Sequence, residues 1–389
     1  MDDDIATSPT RRDYIKYGGT VVGGGLLAGC RGDEATDSTP TTVTSTDSEP
    51  ATSEDAGYSV SMEPVGEVSF DDVPETWLAM TGGWADMGIA LGQDPPAGVT
   101  STSRYHTHHY DDLPGVSVDK DEILQLYDAG IDKELFYELD VDLHVFDPHF
   151  LTNRIENIAA EDIDELATTV APFFGNTIFS RQYAWHDDYR YYSLYEAFEK
   201  LAAVFRERER FEAFRSLHDE VLGGLDERIP PERERPSVAL LMVVSEEPSK
   251  FYPFRIERGT GWKQWRDLGV PDGLDGSGIE SFTASRGTMG YEALLDADPD
   301  YLLLYGYESM SPEAFRETFL SFFRDHETAS ELTAVREGNV YRAGGFYQGP
   351  IQNLALTERA AKQLYPGEFD SDERLFDRQR VADIVTGDF

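Results

Sequence analysis

The 389-residue chain carries 74 Asp and Glu against 33 Lys and Arg, a formal net charge of −41. Such a chain lacks the basic footprint that nucleic-acid binding requires, which excludes that class of partner. Hydrophobic residues make up 40% and aromatics 12%, enough for real cores, and a single cysteine excludes an intrachain disulfide framework. A charge of this size self-repels in dilute buffer, whereas in molar salt the Debye length falls to about 3 Å and the repulsion is screened. The acidity is therefore read as a solvent adaptation of the kind found in extreme halophiles.

The chain opens with a twin-arginine pair, Arg11-Arg12, followed by Tyr14 and Ile15. The glycine-rich stretch Gly18 to Gly29 is weakly apolar and too short to cross about 30 Å of hydrocarbon. It ends in Leu27-Ala28-Gly29-Cys30, which resembles a lipoprotein box whose cysteine becomes the lipidated N-terminus. Residues 1–30 are thus expected to be an export signal, with Cys30 as the lipid attachment. The mature protein would sit outside the cytoplasmic membrane, held by lipid alone. Residues 31–57, rich in Ser, Thr, Pro, Asp and Glu, read as a disordered stalk.

Beyond the stalk, short apolar runs alternate with helical patterns, which predicts an α/β fold. Trp77 to Met80 reads as a strand running into Thr81-Gly82-Gly83-Trp84 and a short helix that ends at Leu91-Gly92. Val141 to Phe146 is a second strand, and Val238 to Val244 and Tyr301 to Tyr305 read as buried parallel strands. Between the halves, Leu194, Ala197, Phe198, Leu201, Val204 and Phe205 recur at helical spacing, continued by Phe211, Phe214, Leu217, Val221 and Leu225. The charged run Arg206 to Arg210 breaks this region in two. The second helix would cover roughly 208 to 227, about 30 Å long, and Pro230-Pro231 stops it.

The two halves echo each other. Glu134 and Glu292 are each followed eight residues later by an Asp, Asp142 or Asp300, at the mouth of an apolar run. With this echo the chain resembles the substrate-binding proteins of ABC importers for ferric siderophores, cobalamin and haem. The resemblance covers roughly residues 65 to 367. It rests on Thr76-Trp77-Leu78-Ala79-Met80 through Gly92, on Asp298-Pro299-Asp300 and the following leucines, on Ala334-Val335 to Val340-Tyr341, and on Leu364-Tyr365-Pro366. It implies two Rossmann-like lobes joined by one long helix, with the ligand cleft between them: an N-terminal lobe at 58–205, an interlobe helix at 206–229 and a C-terminal lobe at 235–389. It also implies a monomer that delivers a small-molecule iron chelate to an ABC permease and its ATPase. Glu134 and Glu292 would dock to the permease. The residues before Glu292 (Thr288-Met289-Gly290-Tyr291) depart from the family's usual turn.

Ligands of open α/β sheets sit at the C-terminal ends of strands. After the first strand, Gly82 and Gly83 allow close backbone approach and Trp84 offers an aromatic wall. The run Arg104-Tyr105-His106-Thr107-His108-His109 packs three of the eight histidines into four residues. Imidazole is a common ligand for Zn, Cu and Ni. In an extended strand, however, His106 and His108 would share a face and His109 would point away. The resemblance adds Tyr183, Trp185 and His186 in the first half, and Tyr252, Arg255, Arg258, Trp262, Arg286, Tyr307 and Tyr347 in the second, as donors and rings for an anionic chelate. No nucleophile elbow, His-Glu-x-x-His or phosphate loop is present, so neither enzyme chemistry nor a cofactor is expected. The alternative ligands are cobalamin, haem, or free Zn or Mn held by the His106 to His109 cluster.

Overall fold

The computed structural model describes residues 57–389 except 182 and 245–247. The twin-arginine segment, Cys30 and all but the last residue of the stalk lie outside the described residues. The first element is an antiparallel hairpin of β1 (Tyr58–Met62) and β2 (Gly66–Phe70). Next comes a sheet of β3 (Trp77–Ala79), β4 (Gly98–Val99), β5 (Leu124–Gln125) and β6 (Leu143–Val145), in the order β5-β4-β3-β6 and parallel throughout. The second sheet is built from β7 (Val238–Val243), β8 (Phe251–Phe254), β9 (Tyr301–Leu304) and β10 (Val340–Arg342), in the order β10-β9-β7-β8. Only its edge strand β8 is antiparallel. Val238 to Leu241 are buried without alternation, as expected of a parallel strand covered on both faces.

The helical region divides where the charges interrupt it. Helix Leu194–Val204 starts at a capping box in which Ser193 Oγ accepts from the Glu196 amide at 3.2 Å and Glu196 accepts from the Ser193 amide at 2.7 Å. Arg206 takes a left-handed φ of +56°, and helix Arg208–Asp226 follows. Its buried side chains are the expected stripe Phe211, Phe214, Leu217, Val221 and Leu225, joined by His218. The architecture is therefore α/β, with two lobes and one long helix between their sheets.

The echo between the halves is structural. Helix Lys133–Leu139 ends at Asp140 (φ 42°) and feeds β6; helix Tyr291–Ala297 ends at Asp298 (φ 35°) and feeds β9. The carboxylate of Asp142 accepts from the amide and hydroxyl of Thr76, both at 2.8 Å, just ahead of β3. Asp300 accepts from the amide and hydroxyl of Ser237, again both at 2.8 Å, just ahead of β7. Each Asp thus ties the start of its own strand to the start of the neighbouring parallel strand and satisfies donors at the strand mouth.

After β10 the chain returns across both lobes. Helix Pro350–Leu364 packs against helix Gly82–Ala90 and helix Arg208–Asp226, and helix Arg378–Thr386 packs against the same two. Among the described residues, no helix is long and apolar enough to cross a membrane.

Candidate ligand cleft between the lobes

Among the described residues, three of the junctions between the lobes frame the candidate cleft. At the first, the Ile178 and Phe179 carbonyls accept from the amides of Thr260 and Gly261 at 2.8 and 3.2 Å. Gly261 is required there, because a Cβ would meet the Phe346 ring at 2.3 Å. At the second, helix Pro350–Leu364 begins at Gly349, which has no side chain to cap it. Asp86, on helix Gly82–Ala90 of the other lobe, caps it instead. One carboxylate oxygen of Asp86 accepts from the amides of Ile351 and Gln352 at 3.0 and 3.2 Å; the other accepts from the Tyr110 hydroxyl at 2.7 Å. At the third, His108 and His109 face Glu308 and its partner Arg359.

Between these junctions, strand ends, helix ends and loops of both lobes bring aromatic rings and arginines together. From the N-terminal lobe come Arg104, Tyr127, Arg154, Phe179 and Tyr183; from the C-terminal lobe come Tyr305, Phe346, Tyr347 and Arg286. Phe179 packs edge-on against Phe346 at 5.9 Å and against Tyr347 at 5.0 Å, so the two lobes meet through their rings. Arg104 Nη1 donates to the Tyr347 hydroxyl at 3.4 Å across the cleft. Tyr183 stacks on Trp185 at 4.4 Å. Burial pushes the Tyr183 hydroxyl up, while the charges of Arg154 and Arg286 pull it down. Burial likewise opposes the charge of Arg104, and the oxygens of Tyr305, Tyr347 and Tyr127 more than restore it. The site is a small cationic, hydroxyl-rich patch inside an acidic protein.

Of the residues expected from sequence, Arg104, Tyr183, Trp185, Arg286 and Tyr347 gather here. Others do not. Trp84 is fully buried inside its helix, with its indole N–H on the Asn176 carbonyl at 3.3 Å, so it walls no cleft. Tyr105 is buried and shares a 2.8 Å hydrogen bond with the Tyr110 hydroxyl, which places it in the Asp86 junction. Arg255 is held by Asp272 at 2.7 Å, by Asp275 and by the Ile279 carbonyl, which engage all three of its nitrogens within its own lobe. Tyr307 packs on Phe319 at 4.4 Å in the core behind β9. Trp262 is buried. Tyr252 lies on Phe282 at 4.2 Å, which leaves Phe282 and Phe254 between it and Phe346. Arg258 is exposed. His186 stacks on Tyr189 at 4.0 Å and shares a 2.7 Å hydrogen bond with Tyr191.

Residues 107–110 form a 3₁₀ turn rather than a strand. The alternation expected for His106, His108 and His109 therefore fails. His108 and His109 converge on Glu308, and His106 instead lies beside Gly345, where a Cβ would meet its ring at 2.8 Å. Burial pushes the His106 imidazole down to about 4.

Sequence reading missed Tyr127, Arg154, Phe179, Tyr305 and Phe346. A signal existed for some of them: Tyr127 follows β5 closely and Tyr305 follows β9 directly, the strand ends where ligands of such sheets bind. Glu134 and Glu292 are both exposed in the first turns of their matching helices, away from the cleft. An open groove of about 700 Å³ beside Glu292 is lined by Pro253, Ile279, Met289 and Tyr291.

Two α/β lobes that meet over a cleft, with a long helix between them, define a bilobal ligand-binding protein. The chain belongs to the periplasmic binding protein family, whose model matches residues 79–345. A periplasmic binding protein of Veillonella parvula aligns over 80% of this chain and 98% of its own, with a TM-score of 0.56 at 16% identity. The petrobactin-binding protein YclQ of Bacillus subtilis aligns over 82% and 100%, at 0.54 and 14%. Staphylococcus aureus SirA, in complex with staphyloferrin B, aligns over 83% and 100%, at 0.51 and 12%. These likenesses establish the fold. Comparison with curated proteins finds no match.

Proposed function

We propose that this protein is the substrate-binding component of an ABC importer, capturing a ferric siderophore outside the cytoplasmic membrane and handing it to a permease. The observation that carries the reading is the cleft itself. Arg104, Arg154 and Arg286, from both lobes, sit among the hydroxyls of Tyr127, Tyr183, Tyr305 and Tyr347 in a chain of net charge −41. Arginines there offer planar, permanent donors to the anionic oxygens of a chelate, and the rings cover its apolar rim. The petrobactin- and staphyloferrin-binding neighbours are consistent with this ligand class. The protein performs no chemistry: it binds, and it releases when the lobes part. Cobalamin and haem are the alternative cargoes.

Trp185, stacked on Tyr183 at the cleft, is a built-in reporter. Ferric hydroxamate, catecholate and carboxylate chelates titrated in molar KCl should quench it saturably, with cobalamin and haemin run in parallel. Arg104→Met should weaken the bound chelate roughly 10- to 100-fold, the worth of one charged hydrogen bond. Saturation by cobalamin or haemin alone would replace the siderophore reading.

Glu134 and Glu292, exposed on matching helices of the two lobes, are suited to meet cationic patches of the permease and set its orientation. Cys30 would hold the mature chain to the outer face of the membrane through lipid. In cells, Glu134→Lys with Glu292→Lys should abolish chelate uptake while purified protein still binds, and Cys30→Ser should release the protein into the medium. Uptake unchanged by the double charge reversal would remove the docking role.

A further inference from the structure

We propose that His108, His109 and Glu308 form a site for a divalent transition metal of the Zn²⁺ class that joins the two lobes beside the cleft. His108 and His109 lie on the N-terminal-lobe turn 107–110, and Glu308 lies four residues beyond β9 in the C-terminal lobe. One ligand atom from each residue falls within 4.8 Å of the other two.

The distances favour shared coordination over hydrogen bonding. His108 Nε2 and His109 Nε2 stand 3.5 and 3.6 Å from the same Glu308 oxygen. That is too long for an ordinary N–H to O hydrogen bond. Two ligands of one tetrahedral zinc, each bonded at about 2.0–2.1 Å, stand about 3.3 Å apart. Closing the site therefore needs shifts of a few tenths of an ångström. His109 Nε2 is buried and has no hydrogen-bond partner. A buried polar atom of that kind calls for a partner, and a bound ion would supply one.

Glu308 is 2% exposed, and Arg359 donates to both of its oxygens, at 2.5 and 2.9 Å. Each carboxylate oxygen has two acceptor sites, so the guanidinium orients the carboxylate and still leaves room for a metal. The Arg359 charge opposes a bound cation, so the ion must bind imidazole strongly. This favours Zn²⁺ and disfavours Ca²⁺ and Mg²⁺, which take oxygen ligands. The His108 side chain is 44% exposed, which provides an entry path and a face for a completing water. A bound ion would pin the turn that follows Arg104 to the end of β9 and so stiffen one wall of the cleft.

The test uses the full-length protein in molar KCl, titrated with Zn²⁺ by calorimetry, with Ca²⁺ as the control for the acidic surface. One Zn²⁺ per chain should bind saturably, undisturbed by excess Ca²⁺. A hundredfold excess over Kd should raise Tm by about 4 °C. His108→Ala alters a half-exposed side chain and should leave the fold intact by circular dichroism. It should weaken Zn²⁺ more than about 100-fold, beyond the loss expected from an outer partner. His109→Gln should do the same, and X-ray absorption should show two imidazoles on the metal. Zn²⁺ affinity unchanged in His108→Ala, competition by Ca²⁺, or no saturable binding would each overturn the assignment. Chelate quenching of Trp185 is a separate readout, so either proposal can fail alone.

Discussion

Asp86→Ala is expected to destabilise the folded chain by about 4 kcal/mol. The substitution leaves the amides of Ile351 and Gln352 and the hydroxyl of Tyr110 buried without their acceptor. Each orphaned donor costs about 1–3 kcal/mol, and a lost N-cap about 1 kcal/mol, with partial overlap between them. Water cannot easily take the place of the carboxylate, because Asp86 is fully buried and a Cβ on Gly349 would already meet its oxygen at 2.5 Å. Urea unfolding should show a lower midpoint with an unchanged slope. A loss under about 1 kcal/mol would mean that Asp86 does not bind the lobes together.

The same carboxylate makes stability depend on pH. Burial pushes Asp86 up to about 7, outweighing the hydrogen bonds from Tyr110, Gln352 and Ile351 that favour its charged form. The unfolded chain keeps the ordinary 3.8. Between these values the native state holds a proton that the unfolded state has lost, so the slope of stability with pH is negative. The contribution is full below the unfolded value and is lost as pH rises through the folded one. About three units at 1.36 kcal/mol each give about 4 kcal/mol. Measured against Asp86→Asn, which does not titrate, the wild-type advantage should shrink between about pH 4 and about pH 8. A constant difference would show that Asp86 stays ionised.

Glu358→Ala is expected to cost about 3–5 kcal/mol, the range for breaking a buried ion pair. The Glu358 side chain is 9% exposed. It accepts from Arg378 at 2.6 and 2.8 Å, from Lys362 at 3.0 Å and from the Leu375 amide at 2.8 Å. These contacts fasten the segment that leads into helix Arg378–Thr386. That helix is tied to the long interlobe helix by Arg380 on Glu220 at 2.5 Å and by Arg210 on the Ile384 carbonyl at 3.0 Å. The loss should therefore be local first, with hydrogen exchange accelerating across 370–389 before the sheets.

Acid should weaken the fold at Glu358, the opposite of its effect at Asp86. Burial alone would raise its carboxyl, but Arg378, the Leu375 amide and Lys362 overcome this and hold it below the usual 4.5. Its contribution is present above the unfolded value and is lost as pH falls through the folded one. The acid side of the stability profile should flatten in Glu358→Gln. Unchanged exchange in the C-terminal segment of Glu358→Ala would show that this carboxylate fastens nothing.

Local periodicity determined a good part of this protein. The unbroken apolar runs at Val238 and Tyr301 read as strands covered on both faces, and the three-to-four spacing from Phe211 to Leu225 reads as an amphipathic helix. The spacing of Glu134 with Asp142, and of Glu292 with Asp300, was legible as a repeat. What Asp142 and Asp300 do, fastening Thr76 and Ser237, was not legible, because those partners are more than sixty residues away. Trp84 and Tyr105 were misplaced because an aromatic beside a strand end reads the same whether it faces a cleft or a core. Only the packing of helix Gly82–Ala90 decides between them. Three histidines in four residues were visible at once. Which two converge depends on the 3₁₀ turn at 107–110 and on Glu308, nearly two hundred residues later. Element type follows from short-range sterics and hydrophobic spacing, which the sequence carries directly. A site assembled from the ends of separate strands, or a carboxylate that caps the helix of another lobe, depends on pairings that only the closed tertiary structure makes.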